Sequence, residues 1–188
     1  LTVTATPIDA DPGDLNNLGW SFNSGTEYFD YLDDSESLVL TYTVRATNNS
    51  LSEAFDDQTV TITITGTNDA PLIEVIPEIT AGTGDSDAET LVETDATLST
   101  NGTLTVTDAD LSDTVTASVV SVTPTGTTTG LGSDNTALLN MLTVTATPID
   151  ADPGDLNNLG WSFNSGTEYF DYLDDSESLV LTYTVRAT

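Results

Sequence analysis

The sequence predicts an all-β chain built of antiparallel β-sandwich modules in tandem, with one short helix, and three observations carry that prediction. Of the 188 residues, 36 are Thr, and β-branched side chains suit a pleated, half-exposed strand better than a helix. Residues 59–65 read T-V-T-I-T-I-T, which puts Val60, Ile62 and Ile64 on one face and threonines on the other. That is the period-two pattern of a strand with one buried side. Short runs of this kind alternate with Gly, Asn, Asp and Pro clusters, as in a sandwich of antiparallel sheets.

Taken in order, residues 1–6, 38–46, 59–65, 103–107 and 115–122 are the predicted strands. A helix is expected over 134–141, capped by Ser133, with Ala137, Leu138, Leu139 and Met141 on its apolar face. The aromatic residues Trp20, Phe22, Tyr28, Phe29 and Tyr31 and their copies, Trp161 among them, read as core. Their other reading is a sugar-binding platform. Arg45 falls on the polar side of its strand, where a surface ion pair is expected.

Repetition organises the chain. Residues 1–47 recur without a change as residues 142–188, an offset of 141, which marks a window on a tandem array of near-identical copies. The boundary is predicted at Gly66-Thr67-Asn68-Asp69-Ala70-Pro71, a polar stretch between a strong strand and a new apolar run. Residues 1–66 are then the C-terminal half of one sandwich repeat and 67–71 a linker. Residues 72–188 are the N-terminal majority of the next repeat, which lacks a counterpart of 48–66.

Composition excludes most chemistry. The chain has 31 Asp plus Glu against two Arg, a formal charge of -29, and no His, Cys or Lys. Imidazole and thiolate metal sites, Ser-His and Cys-His nucleophile pairs, a Schiff-base lysine and disulfides are all ruled out. Paired carboxylates of a glycosidase remain, but repetition of the acids in an array argues against them, so no enzyme is expected. So negative a surface repels nucleic acid and anionic lipid. No apolar run approaches the length of about 18 residues needed to cross a bilayer, so no direct membrane insertion is expected. The opening residues carry no basic and apolar leader pattern.

The acids cluster in the loops: Asp9, Asp11 and Asp14; Asp30, Asp33, Asp34 and Glu36, with Asp174, Asp175 and Glu177 in the repeat; Asp56 and Asp57; Asp85, Asp87 and Glu89; and Asp108, Asp110 and Asp113. Two clusters share the spacing D-A-D-x-x-D. Several carboxylates aimed at one point suit a hard cation that takes six to eight oxygen ligands, so Ca2+ is the expected ion and zinc is not. No cluster fits the twelve-residue EF-hand loop. The bland alternative is a solvated acidic surface. If the strands over 38–46 and 59–65 are antiparallel neighbours, Asp33, Asp34 and Glu36 lie at the same pole as Asn68 and Asp69. A strand over 103–107 running back toward the junction then brings Asp108, Asp110 and Asp113 to it. Such a density of like charge is costly without a divalent ion.

The stretch from Phe29-Asp30-Tyr31-Leu32 to Val44, followed by the run Gln58 to Pro71 with its T-I-T-G-T-N-D-A-P, resembles the VCBS and cadherin-like repeats of large bacterial RTX adhesins. Leu32-Asp33-Asp34-Ser35-Glu36 resembles the cadherin L-D-R-E loop, with Ser35 inserted and Asp34 where Arg is usual. Asp108-Ala109-Asp110 resembles the cadherin D-x-D, Asn68-Asp69 the tail of the linker motif, and Glu93 the first-strand Glu. The resemblance implies immunoglobulin-like modules stiffened by Ca2+, whose partners are neighbouring repeats of the same chain and which take no small-molecule substrate. It also implies type I export and an extracellular, cell-surface location, where the array projects a terminal binding domain for adhesion or biofilm formation. The alternative is a multivalent carbohydrate-binding array whose avidity comes from repetition.

Overall fold

The computed structural model describes residues 1–4, 6–50, 52, 54–77 and 84–188; Ala5, inside the strand expected over 1–6, lies outside the described residues. The described chain is β-rich, its paired strands all run antiparallel, and it holds one five-residue helix. It divides into two compact units, Leu1–Thr67 and Asn68–Thr188.

In the first unit, β1 (Thr2–Val3) pairs with β2 (Trp20–Ser21), and β3 (Ser37–Thr47) pairs with β4 (Phe55–Thr65). The β3–β4 register runs unbroken from Ser37 opposite Thr65 to Thr47 opposite Phe55. Leu38, Leu40, Tyr42 and Val44 share a half-buried face with Val60, Ile62 and Ile64, while the intervening residues are exposed. β4 begins four residues before the run expected over 59–65. Its extension is held by Arg45, whose Nε and Nη2 donate to the two Asp57 carboxylate oxygens at 2.7 and 2.8 Å. The Arg45 guanidinium also lies 3.9 Å from the Phe55 ring centroid. Hydrogen bonding to Asp57 raises Arg45 above its ordinary pKa, and the same contact lowers Asp57.

The second unit runs through β5 (Leu72–Glu74), β6 (Ser99–Thr107), β7 (Thr114–Val115), β8 (Ala117–Gly126), α1 (Asn135–Leu139), β9 (Leu142–Val144), β10 (Ile149–Asp150), β11 (Leu159–Asn164) and β12 (Leu179–Ala187). A four-stranded sheet has the order β5-β6-β11-β9, and β7 pairs with β10 and β8 with β12. The strand expected over 115–122 is divided at Thr116, whose N–H and C=O exchange hydrogen bonds of 2.8 and 2.9 Å with Thr188. β8 then continues through Pro124, which faces Leu181. The bonded positions flanking β12 are Ser178 and Thr188, so odd-numbered residues of β12 do not bond β8 and the missing proline N–H breaks no ladder bond.

α1 is shorter than the helix expected over 134–141. Its cap is Asp134, not Ser133: Asp134 Oδ1 accepts the Ala137 N–H at 2.8 Å, while the Ser133 hydroxyl lies 2.9 Å from Glu168 Oε2. A carboxylate competes well for a helix N-terminus because it also meets the positive end of the helix dipole. Leu138 and Met141 are buried and Ala137, expected on the apolar face, is exposed.

Two apolar clusters form the interior of this unit. One joins Leu104, Val106, Val115, Ile149, Ala151 and Leu159; the other joins Val122, Leu138, Met141 and Phe170, with Leu179, Leu181 and Tyr183 against it. Burial pushes the Tyr183 hydroxyl up to about 12, and that hydroxyl donates to the Leu138 carbonyl at 2.8 Å. Gly102 is required opposite Trp161, because a Cβ there meets the indole at 2.6 Å. The indole Nε1 donates to the Ser86 carbonyl at 2.8 Å.

The two identical segments take the same local conformation. Asn16 and Asn157 have φ of 58° and 56°, and Phe29 and Phe170 of 63° and 62°. Thr4 bonds Gly19 as Thr145 bonds Gly160. Phe22 approaches Tyr42 as Phe163 approaches Tyr183. Burial nevertheless differs: Leu18 is 39% exposed and its copy Leu159 0%, because β6 pairs with β11 and no described strand of the first unit takes that place beside β2. Replacing Leu159 by Ala is therefore expected to cost about 2–5 kcal/mol in a denaturant titration of its unit. Leu18→Ala, the same change in the same sequence, is expected to cost under about 1 kcal/mol.

Candidate metal centre

The carboxylates fall into three local arrangements. The first lies in the second unit. β5 and β6 pair with Leu72 opposite Thr107, so the residues before β5 meet those after β6. There the Asp69 N–H donates to Asp110 Oδ2 at 2.6 Å. The Asp110 N–H donates to Asp108 Oδ1 at 3.2 Å and the Asp113 N–H to the Asp110 carbonyl at 3.1 Å, closing a tight turn. The Asp108 N–H reaches the Ala151 carbonyl at 2.7 Å.

Asp108 is 5% exposed and Asp110 1%. Asp110 Oδ1 is buried and has no hydrogen-bond partner, and an Asp113 carboxylate oxygen lies within 4.8 Å of an Asp110 one. A buried carboxylate oxygen left unpaired is costly, because burial removes water without replacing its hydrogen bonds. Carboxylate and carbonyl oxygens of this kind are the ligand type that hard cations take.

The other D-A-D-x-x-D segment behaves in the opposite way. In 150–152 it is Ala151 that is buried in the core, and Asp150 and Asp152 point outward; in the first copy Asp9 and Asp11 are exposed. Pairing of β10 with β7 fixes which side of the segment turns inward. Equal spacing therefore gives unequal aim, and among the described residues Asp9 and Asp11 belong to no group of three close carboxylates.

The second arrangement is the loop before β3, which recurs before β12. Within it the Asp33 N–H donates to Glu36 Oε2 at 3.2 Å, the Asp34 N–H to Asp33 Oδ1 at 2.6 Å, and the Ser35 hydroxyl to Asp33 Oδ2 at 3.2 Å. Asp174, Asp175 and Glu177 repeat the first two bonds at 3.0 and 2.8 Å. These acids are thus partly engaged in holding their own loop. In the first unit the loop also grips the end of β4: the Gly66 N–H donates to the Glu36 carbonyl and the Thr67 N–H to that of Leu32. Gly66 is needed, since a Cβ there overlaps the Leu32 and Asp33 carbonyls. Asn68 is exposed and its side-chain amide donates to the Asp69 carbonyl.

The third arrangement brings Glu93, Asp95 and Asp171 within 4.8 Å of one another. Glu93 was the expected member; Asp171 comes from the distant repeat, and no spacing in the sequence links it to Glu93 or Asp95.

Asp85 has a structural task. Its carboxylate accepts the Ile76 N–H at 3.0 Å and the Asn157 amide at 2.7 Å. Burial pushes its pKa up, but hydrogen bonds from Thr105, Ile76, Asn157 and Thr103 together outweigh this and hold it below the ordinary value. A depressed carboxyl contributes stability above its unfolded pKa, near ~4, and loses it as pH falls through the folded pKa. Urea titrations between neutral pH and pH 2 are expected to show a shallower acid loss in Asp85→Asn than in the parent chain. An unchanged slope contradicts the role.

Compared with protein-family models the chain matches none, and no curated protein matches it.

Proposed function

We propose that this chain is a calcium-stiffened extender segment of a large secreted, cell-surface-attached bacterial adhesin, built of immunoglobulin-like β-sandwich repeats in tandem. It has no catalytic role in this reading. Its repeats project a terminal binding domain for adhesion or biofilm formation, and their partners are neighbouring repeats of the same chain.

The observation that carries the reading is Asp110, whose Oδ1 is buried and unpartnered beside Asp108 and Asp113. Neither nearby arginine nor lysine chemistry is available to satisfy it, since the chain has two cationic side chains for 31 acids. Ca2+ supplies what that turn lacks: a hard positive charge that takes many oxygens at once. Asp108, Asp110 and Asp113 are the proposed ligands. Asp69, tied by its N–H to Asp110, transmits the order of the turn to the segment leaving the boundary at Thr67–Asn68. Calcium-poor surroundings leave the acids to repel one another, so the chain is looser before export and firmer outside the cell.

The carbohydrate reading is weaker. In the second unit Trp161, Phe163, Tyr172 and Tyr183 pack against the apolar clusters and are not presented as an open platform. Trp20, Tyr28 and Tyr31 of the first copy are exposed, Trp20 at 51% and Tyr28 at 78%, and so is Tyr169 of the second.

An ion bound only by the folded state stabilises it by about 2.7 kcal/mol at a hundredfold excess over Kd. Calcium is accordingly expected to raise the melting temperature and excess chelator to lower it, and Asp110→Asn is expected to remove most of the difference. A melting curve indifferent to chelator contradicts the proposal. Small-angle scattering tests the stiffening: added calcium is expected to narrow the distribution of interatomic distances in the parent chain and to leave the Asp108→Asn/Asp110→Asn double variant unchanged.

A further inference from the structure

The tripeptide Asn-x-Ser/Thr occurs twice in the chain, as Asn48-Asn49-Ser50 and as Asn101-Gly102-Thr103. It is the acceptor motif of N-glycosylation, in which a sugar is joined to the asparagine side-chain nitrogen. The structure puts the two in opposite settings. Asn48 stands where β3 gives way to the connection into β4: its N–H donates to the Ala54 carbonyl at 3.0 Å, one position beyond the Thr47–Phe55 pair. Asn48, Asn49 and Ser50 are exposed and belong to no strand.

The connection folds back on the Asn48 side chain. Its Oδ1 accepts the Ser50 N–H at 3.2 Å and the Ser50 hydroxyl at 2.7 Å. Asn23 and Asn164 likewise accept the N–H two residues on, from Gly25 and Gly166 at 2.7 and 2.8 Å, but no hydroxyl joins them. The double contact bears on reactivity. An amide nitrogen is a poor nucleophile because its lone pair is delocalised onto the carbonyl oxygen, so negative charge gathers on Oδ1 as Nδ2 gives up a proton. Donors already aimed at that oxygen stabilise the charge as it develops. Nδ2 itself bonds no described residue.

We infer that Asn48 is an N-glycosylation acceptor, modified by a transferase that uses a hexose activated as its nucleotide diphosphate. In that transfer Nδ2 attacks the anomeric carbon, and the new C–N bond forms as the bond from that carbon to the diphosphate oxygen breaks. The nucleotide diphosphate leaves with the electron pair, and a base of the transferase takes the Nδ2 proton. No oxidant or reductant is needed. The inference is separate from the calcium reading, whose acids Asp108, Asp110 and Asp113 belong to the other unit.

The second motif is held away from this chemistry. β6 lies between β5 and β11, and Asn101, Gly102 and Thr103 stand opposite Ser162, Trp161 and Gly160. Pleated backbone sets Asn101 and Thr103 about 6.5 Å apart along the strand, and the Thr103 hydroxyl accepts the Asn157 amide at 3.2 Å instead of turning back to Asn101. The Trp161 indole lies over Gly102 between them. A transferase that takes the motif looped out must first part β6 from β11, whereas Asn48 already lies beyond the last strand pair.

The test uses the folded chain, UDP-glucose and a soluble N-glycosyltransferase that reads Asn-x-Ser/Thr, with an unstructured Asn-x-Thr peptide in the same mixture to show that the enzyme turns over. Mass spectrometry after cleavage at acidic residues reads each asparagine. Hexose is expected to appear at Asn48 at least about tenfold faster than at Asn101, because reaching Asn101 requires local opening of the sheet. Ser50→Ala is expected to slow the reaction at Asn48 by about tenfold or more, and Ser50→Thr, which keeps the hydroxyl, to preserve it. Absence of hexose at Asn48 while the peptide is consumed overturns the inference, and so does equal modification of Asn48 and Asn101.

Discussion

Negative charge with almost no positive charge to answer it is the constraint on which the rest of this structure depends. With 31 acids and two arginines, the chain cannot neutralise its carboxylates by ion pairs, and one arginine is already committed to Asp57. The acids are accommodated in three ways instead. Most face water. Some accept backbone and amide hydrogen bonds, as Asp85 and the loop carboxylates Glu36 and Glu177 do. Asp110 does neither completely: one of its oxygens takes the Asp69 N–H and the other is buried without a partner. The proposed calcium function rests on that one oxygen.

The identical segments separate what a sequence dictates from what its neighbours supply. Turn geometry belongs to the segment itself, since Asn16 and Asn157, and Phe29 and Phe170, agree in φ within two degrees. Burial belongs to the surroundings. Leu159 is enclosed because β6 lies beside β11, and among the described residues no such strand lies beside Leu18, its copy. Hydrophobic stabilisation follows area removed from water, so one sequence contributes differently in its two settings.

The strands were legible because alternation of Thr with Val, Ile and Leu reports a half-buried pleat directly, whereas the antiparallel partnership of β3 with β4 entered only as a supposition, which the structure meets. Detail that depends on pairing was less legible. The division at Thr116 is set by Thr188, more than seventy residues away, and the passage of β8 through Pro124 depends on which residues of β12 bond it. The helix cap fell to Asp134 because Ser133 is engaged with Glu168. Spacing alone likewise could not tell the inward acids Asp108 and Asp110 from the outward Asp150 and Asp152, because the aim of a D-A-D turn is decided by the strand it leaves. The proximity of Asp171 to Glu93 and Asp95 had no local signal at all.

A crystal structure grown in calcium tests the account most directly at Asp110. The account predicts an ion about 2.3–2.6 Å from Asp110 Oδ1, with Asp108 or Asp113 also contributing oxygen. Finding that oxygen bonded to a protein donor or to water at saturating calcium, with no ion in the turn, contradicts it.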